Sequence, residues 1–196
     1  MKENVESFKP ERGQETAEAL AAILDKYRDK RVVVVGVPGS GKSTLLKYIP
    51  EALDMDKVLF PKLSEGEKNF ALSRRFNLEK DKFEKIPYND KDPEDVKALT
   101  LSADVLQTLA EMHLEIEPGH PQFATLVLPS DVIVYLKIDD ELLRERLLSR
   151  ETQDDRPQQY EFVKKIEELL ERNIQDAKAR GTLVEEFLMK KGLHDK

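Results

Sequence analysis

The residues best equipped to do chemistry stand together in the run Gly36-Val37-Pro38-Gly39-Ser40-Gly41-Lys42-Ser43-Thr44. From Gly36 to Ser43 it fits G-x-x-x-x-G-K-[ST], the pattern of a loop that cradles phosphates. Gly36, Gly39 and Gly41 carry no Cβ, so the backbone can turn through positive φ and bring N–H groups close to phosphate oxygens around Ser40. A helix starting near Lys42 would aim its unpaired N–H groups and the positive end of its dipole at the same anion. Lys42 then reaches the β- and γ-phosphates as a point charge, and the Ser43 hydroxyl can ligate Mg²⁺. Thr44 adds a hydroxyl near the α-phosphate. These residues predict binding of a nucleoside triphosphate and do not name an acceptor.

The neighbouring elements must hold that loop in place. Val32 to Val35 is an unbroken β-branched run, which suits a strand buried on both faces of a parallel sheet. Ser43-Thr44-Leu45-Leu46-Lys47 reads as the first turns of a helix, giving the strand–loop–helix context that the motif requires. Upstream, residues 1–13 form a polar arm. From Glu15 to Lys30, Ala17, Leu20, Ala21, Leu24 and Tyr27 recur at helical spacing and predict an extra packing helix. Downstream, Lys57 to Phe60 is short and apolar before Pro61 and predicts a second strand.

Residues 62–92 are charge-rich, with Arg74, Arg75, Lys80, Lys82 and Lys85 among anchors such as Phe70, Leu72 and Phe76. They predict a small helical insertion, read either as a solvated face or as the place where an acceptor is held. Asp92-Pro93-Glu94 opens a helix whose stripe runs Leu101, Val105, Leu109, Met112, Ile116. Thr125–Leu128 and Val132–Ile138 read as strands, and Asp139-Asp140 cap a helix from Glu141 to Arg150 that puts Arg146 and Arg150 on one face. Gln153 to Gln159 is a polar loop holding Arg156, and Tyr160 to Arg180 a long helix closed by Gly181. Thr182-Leu183-Val184-Glu185 fits a capping box, which favours a last helix over a last strand.

Composition narrows the functions open to these parts. The 196 residues, 39 % hydrophobic and 36 % charged, suffice for one charge-rich domain with a full core. A net charge of −7 argues against a broad nucleic-acid surface, which needs a basic footprint. The absence of cysteine excludes disulfides, thiolate catalysis and cysteine metal sites. The opening residues carry no signal-peptide pattern and no apolar run approaches membrane length, so the expectation is a cytoplasmic protein without a membrane partner. No N-K-x-D follows a strand; Asn89-Asp90-Lys91-Asp92 has the wrong order for a GTPase.

The order VVVVGVPGSGKST, FNLEKDKFEKI, DPEDVKALT, LAEMH, PSDVIVYLKIDDELLRERLLSRETQDDR, AKARGTLV resembles the archaeal-type adenylate kinases, which pass a phosphoryl group from MgATP to AMP. The likeness runs roughly from Arg31 to Leu188. It implies an α/β, three-layer P-loop NTPase or kinase fold with a parallel sheet. An N-terminal arm and extra helix would occupy residues 1–30 and the kinase-like domain 31–196, with the acceptor insertion at 62–92 and a lid at 150–159. It also implies ATP and Mg²⁺ as cofactors, AMP as the favoured acceptor, and Arg146, Arg150 and Arg156 as arginines that clamp the transferring phosphoryl.

The family's acid, which ends an apolar strand and serves Mg²⁺, falls at Glu111 in Ala110-Glu111-Met112-His113, a stretch whose own periodicity is helical. The family's acceptor-site arginine corresponds to Lys82, which lacks the bidentate fork. Two alternatives stand beside this reading. One is a kinase for a nucleoside or other hydroxyl acceptor, with Asp54, Asp56 or Glu65 as base. The other is a nucleotide-binding module with little turnover.

Overall fold

The valine run forms β1 (Val32–Val35), and every residue in it is buried. The computed structural model describes residues 10–71, 74–77, 82–85, 91–151 and 159–189. Strand β1 lies between β5 (Gln122–Ala124) and β6 (Val132–Ile138), with β2 (Leu53–Asp54) and β7 (Leu183–Met189) at the edges. The order is β2-β5-β1-β6-β7 and every pairing is parallel. Such a sheet must be covered on both faces.

On one side lie α1 (Pro10–Asp25) and α2 (Lys42–Leu45); just past α1, the Tyr27 hydroxyl donates to Glu185 of β7 at 2.7 Å. Glu185 stands in register with Val134, so the next residue along β6, Tyr135, faces the other side. There its hydroxyl meets Glu171 of α7 (Gln159–Ala179), and Arg172 of α7 pairs with Asp104 of α5 (Pro93–His113) at 3.6 Å. Helix α6 (Asp140–Glu151) joins β6 to α7. The result is an α/β P-loop fold in three layers. Ala17, Leu20 and Leu24 of α1 share one core with β1, so the extra helix is a packing element of the sheet.

Four local readings give way to the fold. Lys57–Phe60 is not a strand: α3 (Met55–Leu59) begins one residue after Asp54, whose carboxylate accepts the Asp56 N–H at 3.1 Å. Met55 and Leu59, four apart, are both fully buried, and a 3-10 turn with Pro61 follows. Asp54 caps the helix, and that cap outweighs the apolar run.

Residues 62–92 are not all helical. After α4 (Glu65–Ala71) the chain forms an antiparallel hairpin of β3 (Arg74–Asn77) and β4 (Lys82–Lys85), with Phe76 opposite Phe83.

The strand expected at Thr125–Leu128 lies earlier, at β5. Leu126, Val127 and Leu128 are buried instead in the return from the carboxyl end of β5 to the start of β6.

The tail is strand, not helix. Gly181, at φ 96°, ends α7, and the Leu183 N–H then meets the Asp131 carbonyl at 3.1 Å. β7 pairs with all of β6 from Val132 to Ile138, and that ladder overrides the capping-box signal of Thr182–Glu185.

Candidate functional site

The phosphate loop leaves the carboxyl end of β1, where the Gly36 N–H still pairs with the Ala124 carbonyl at 3.2 Å. Gly39 (φ 90°) and Gly41 (φ 99°) adopt the left-handed conformation that side-chain-bearing residues resist. Space is as restrictive as torsion. A Cβ on Gly36 would sit 2.7 Å from the Ser40 Oγ, and one on Gly39 would sit 3.1 Å from Leu143 of α6. Ser40 is wholly buried, and its hydroxyl has no hydrogen-bond partner among the described residues.

Lys42 folds back over the loop. Its ammonium donates to the Gly36 carbonyl and, at 3.0 Å, to the Val37 carbonyl. Arg146 reaches the same loop from α6, its Nη1 donating to the carbonyls of Ser40 at 3.1 Å and Gly39 at 3.3 Å. Two cations from separate elements thus converge on one loop. Helix α6 is fixed there because the Asp139 carboxylate accepts the N–H groups of Glu141 and Leu142, at 2.9 and 3.3 Å. Arg150 lies one turn further along α6, its side chain outside the described residues, and Arg156 lies outside them altogether.

The structure does not bring Glu111 to this site. It occupies the last turn of α5, accepts a hydrogen bond from Gln107 at 2.7 Å, and lines a cleft with Arg31, Pro129, Ser130 and Arg180. Arg31 and Ser130 precede β1 and β6, whereas the phosphate loop follows β1, so Glu111 and Ser43 belong to opposite ends of the sheet. The physical reason is that residues 93–113 fold as one helix, α5, so Glu111 stands in a last helical turn and not at the end of a strand. The strand beside β1 forms later, as β5, and ends at Ala124-Thr125 without a carboxylate.

Among the described residues, carboxylates at the loop's end of the sheet follow β6, at Asp139 and Asp140, and β2. Asp54 caps α3 and Asp56 follows in its first turn. The Asp56 carboxyl is pushed above the usual carboxylate range, first by desolvation and then by the Asp54 charge, while Lys42 pulls it down. The residue as a whole remains open to solvent, so the crowding is local to its carboxyl group. Glu65, the third acid named as a possible base, pairs with Lys68 on α4 at 2.8 Å. Sequence reasoning named Asp56 but missed its coupling to Lys42. The signal was present, since Asp54 ends a strand parallel, through β5, to the one that feeds the loop, and Asp56 follows two residues later.

The Ser43 hydroxyl is an oxygen donor of the kind Mg²⁺ prefers, and one or two protein ligands suffice because the ion keeps waters and phosphate oxygens. Among the described residues, no three His, Asp or Glu side chains cluster as a metal cage, and no helix is long and apolar enough to cross a membrane.

A family model described as AAA domain matches residues 32–174, from the first residue of β1 into α7. No curated protein matches the chain. The matched span covers well over half of the chain and contains the phosphate loop, its flanking strands and Arg146. The chain therefore belongs to this AAA-domain family of P-loop proteins.

Proposed function

We propose that the chain transfers the γ-phosphoryl group of MgATP to a small acceptor, with AMP the first candidate. The observation that carries this reading is the convergence of Lys42 and Arg146 on one loop: a passive nucleotide site needs the lysine alone, whereas transfer also benefits from a second cation. The loop N–H groups and Lys42 hold the phosphates in line. An oxygen of the acceptor phosphate attacks the γ-phosphorus, the bond to the β–γ bridging oxygen breaks, and its electron pair leaves with ADP. Mg²⁺, when bound to Ser43 and the nucleotide, neutralises charge on the phosphates. Arg146, with Arg150 and Arg156 by the adenylate kinase resemblance, meets charge as it grows on the transferring group. A phosphate acceptor needs no base.

The acceptor assignment rests on the same resemblance and on the cationic insertion between α3 and α5 in the sequence, which carries Arg74, Arg75, Lys82 and Lys85. A coupled assay of ADP formation with and without AMP tests it. The expected result is strong acceleration by AMP, and tight binding of an analogue that joins two adenosines through five phosphates. Equal ATP loss without acceptor would reject transfer. A nucleoside that replaces AMP without loss would make the acceptor a hydroxyl.

A further inference from the structure

We propose that Tyr160, at the start of α7, is a positioning residue for Arg146: it grips α6 at two points and so fixes the roll that brings the Arg146 guanidinium onto the phosphate loop. The inference rests on the role given above to Arg146 and is independent of which acceptor is used.

Tyr160 holds α6 through its hydroxyl and through its ring. The hydroxyl donates to one oxygen of Asp140, the first residue of α6, at 2.5 Å. One turn further along α6 the Arg144 guanidinium lies over the ring, its carbon 4.5 Å from the centroid. Lys164, one turn beyond Tyr160 on α7, donates to the other Asp140 oxygen at 3.2 Å and also pairs with Glu167. Both carboxylate oxygens of Asp140 are thus taken by α7. Tyr160 itself is partly buried and packs against the core, so the grip has a fixed base.

On another face of α6, the buried Leu143 and Leu147 seat the helix against the loop at Gly39. Apolar contact is non-directional, so this stripe sets the depth of the helix more than its roll. At 3.6 residues per turn, Asp140 and Arg144 project about a quarter turn away from Leu143, Arg146 and Leu147. The hold from α7 therefore acts from a second direction and resists rotation about the axis. A long side chain ends roughly 6 Å from that axis, so a roll of about 10° moves its tip by about 1 Å. The Arg146 bonds to the loop, at 3.1 and 3.3 Å, are already at the long end of the usual range. A misplacement of about 1 Å at a working group can cost on the order of 10² in rate.

The competing role is structural, an ordinary link between two packed helices. Tyr160→Phe removes the hydroxyl and keeps the ring, whereas Tyr160→Ala removes both. Each would be made in the parent chain and in Arg146→Ala. Kinetics and melting curves would stand beside the Arg146 Nε–H signal in a ¹H–¹⁵N spectrum, recognised by its loss in Arg146→Lys. Tyr160→Phe is expected to lower kcat about 3–10-fold and Tyr160→Ala about 10–100-fold, with the KM for ATP changing less. Neither should lower kcat further once Arg146 is gone. The Arg146 signal should move in both variants, and that of Arg31, before β1, should stay. Lys165→Gln breaks an exposed pair with Glu168 on the same helix and should change neither readout. Losses in kcat that multiply with that of Arg146→Ala would overturn the assignment, as would an unmoved Arg146 signal. Should Tyr160→Ala fail to fold, Tyr160→Phe carries the same test. A parent chain that transfers no phosphoryl group would reject the proposed function alone, and the Arg146 signal would then decide this inference by itself.

Discussion

Replacing Arg146 by alanine separates a pin on the phosphate loop from a group that works on the transferred phosphoryl. The side chain makes two hydrogen bonds to loop carbonyls, at 3.1 and 3.3 Å, from a partly buried position. A charged donor is worth about 1.5–3 kcal/mol to a buried acceptor, but these carbonyls can turn to water once the guanidinium is gone. The net loss of stability is therefore on the order of 1–2 kcal/mol, which lowers Tm by about 2–8 °C in a chain of this length. If Arg146 only pins the loop, ATP affinity and turnover fall together by the modest factor that this loosening implies. If it neutralises charge in the transition state, kcat falls by roughly 10² or more, well beyond the loss of affinity. Arg146→Lys then rescues only in part, because an ammonium cannot reproduce the planar fork. Steady-state kinetics, calorimetry with ATP and thermal melts on both variants decide the matter. Parental kcat in Arg146→Ala would refute the reasoning, whatever the melting temperature did.

Lys42→Ala should leave the fold intact, weaken MgATP binding and cut turnover by roughly 10²–10⁴; unchanged affinity by calorimetry would remove Lys42 from the site. Arg150→Ala and Arg156→Ala should each lower kcat by on the order of 10² with little change in Tm, as kinetics beside melting curves will show. Arg31 holds Asp131 through its guanidinium and its backbone N–H, which brings the carboxyl down to about 2. A depressed carboxyl contributes stability above its unfolded range near about 4 and loses it as pH falls through the folded value. Urea midpoints should thus separate the parent from Asp131→Asn at neutral pH and converge as the pH approaches about 2.

Legibility in the sequence followed how local each determinant was. The valine strand, the phosphate loop and the starts of α5 and α6 are specified by residues within a few positions of one another. Asp92 accepts the Glu94 N–H at 3.0 Å and Asp139 that of Glu141, as their positions before each helix suggest. β7 failed that test because its reason to be a strand lies in β6, some fifty residues upstream along the chain. β5 is similar: its three residues are fixed by pairing with β1 and β2, and the apolar run just after it was the stronger local signal. The hairpin of β3 and β4 pairs only with itself, and its four-residue strands carry more charge than alternation.

The same distinction governs the site. A phosphate loop is its own recognition element, since glycine torsions, lysine reach and the Ser43 hydroxyl all act within one turn of chain. Arg146 enters from more than a hundred residues away, and only the packing of α6 makes it part of the loop. Leu143 and Leu147 of α6 lie within 3.1 and 3.3 Å of where a Gly39 Cβ would stand, so the helix and the loop seat against each other as one surface. Arg146 is thus held to the loop by hydrogen bonds to neutral carbonyls, those of Gly39 and Ser40. A phosphate oxygen is a better acceptor than either carbonyl, because a charge-assisted hydrogen bond is roughly twice as strong as a neutral one. A bound triphosphate would draw the guanidinium from Gly39 and Ser40 onto itself. The hydrogen bonds that seat α6 beside the loop are thus the ones a nucleotide would exchange, and the cost of breaking them is set against every contact Arg146 makes with phosphate.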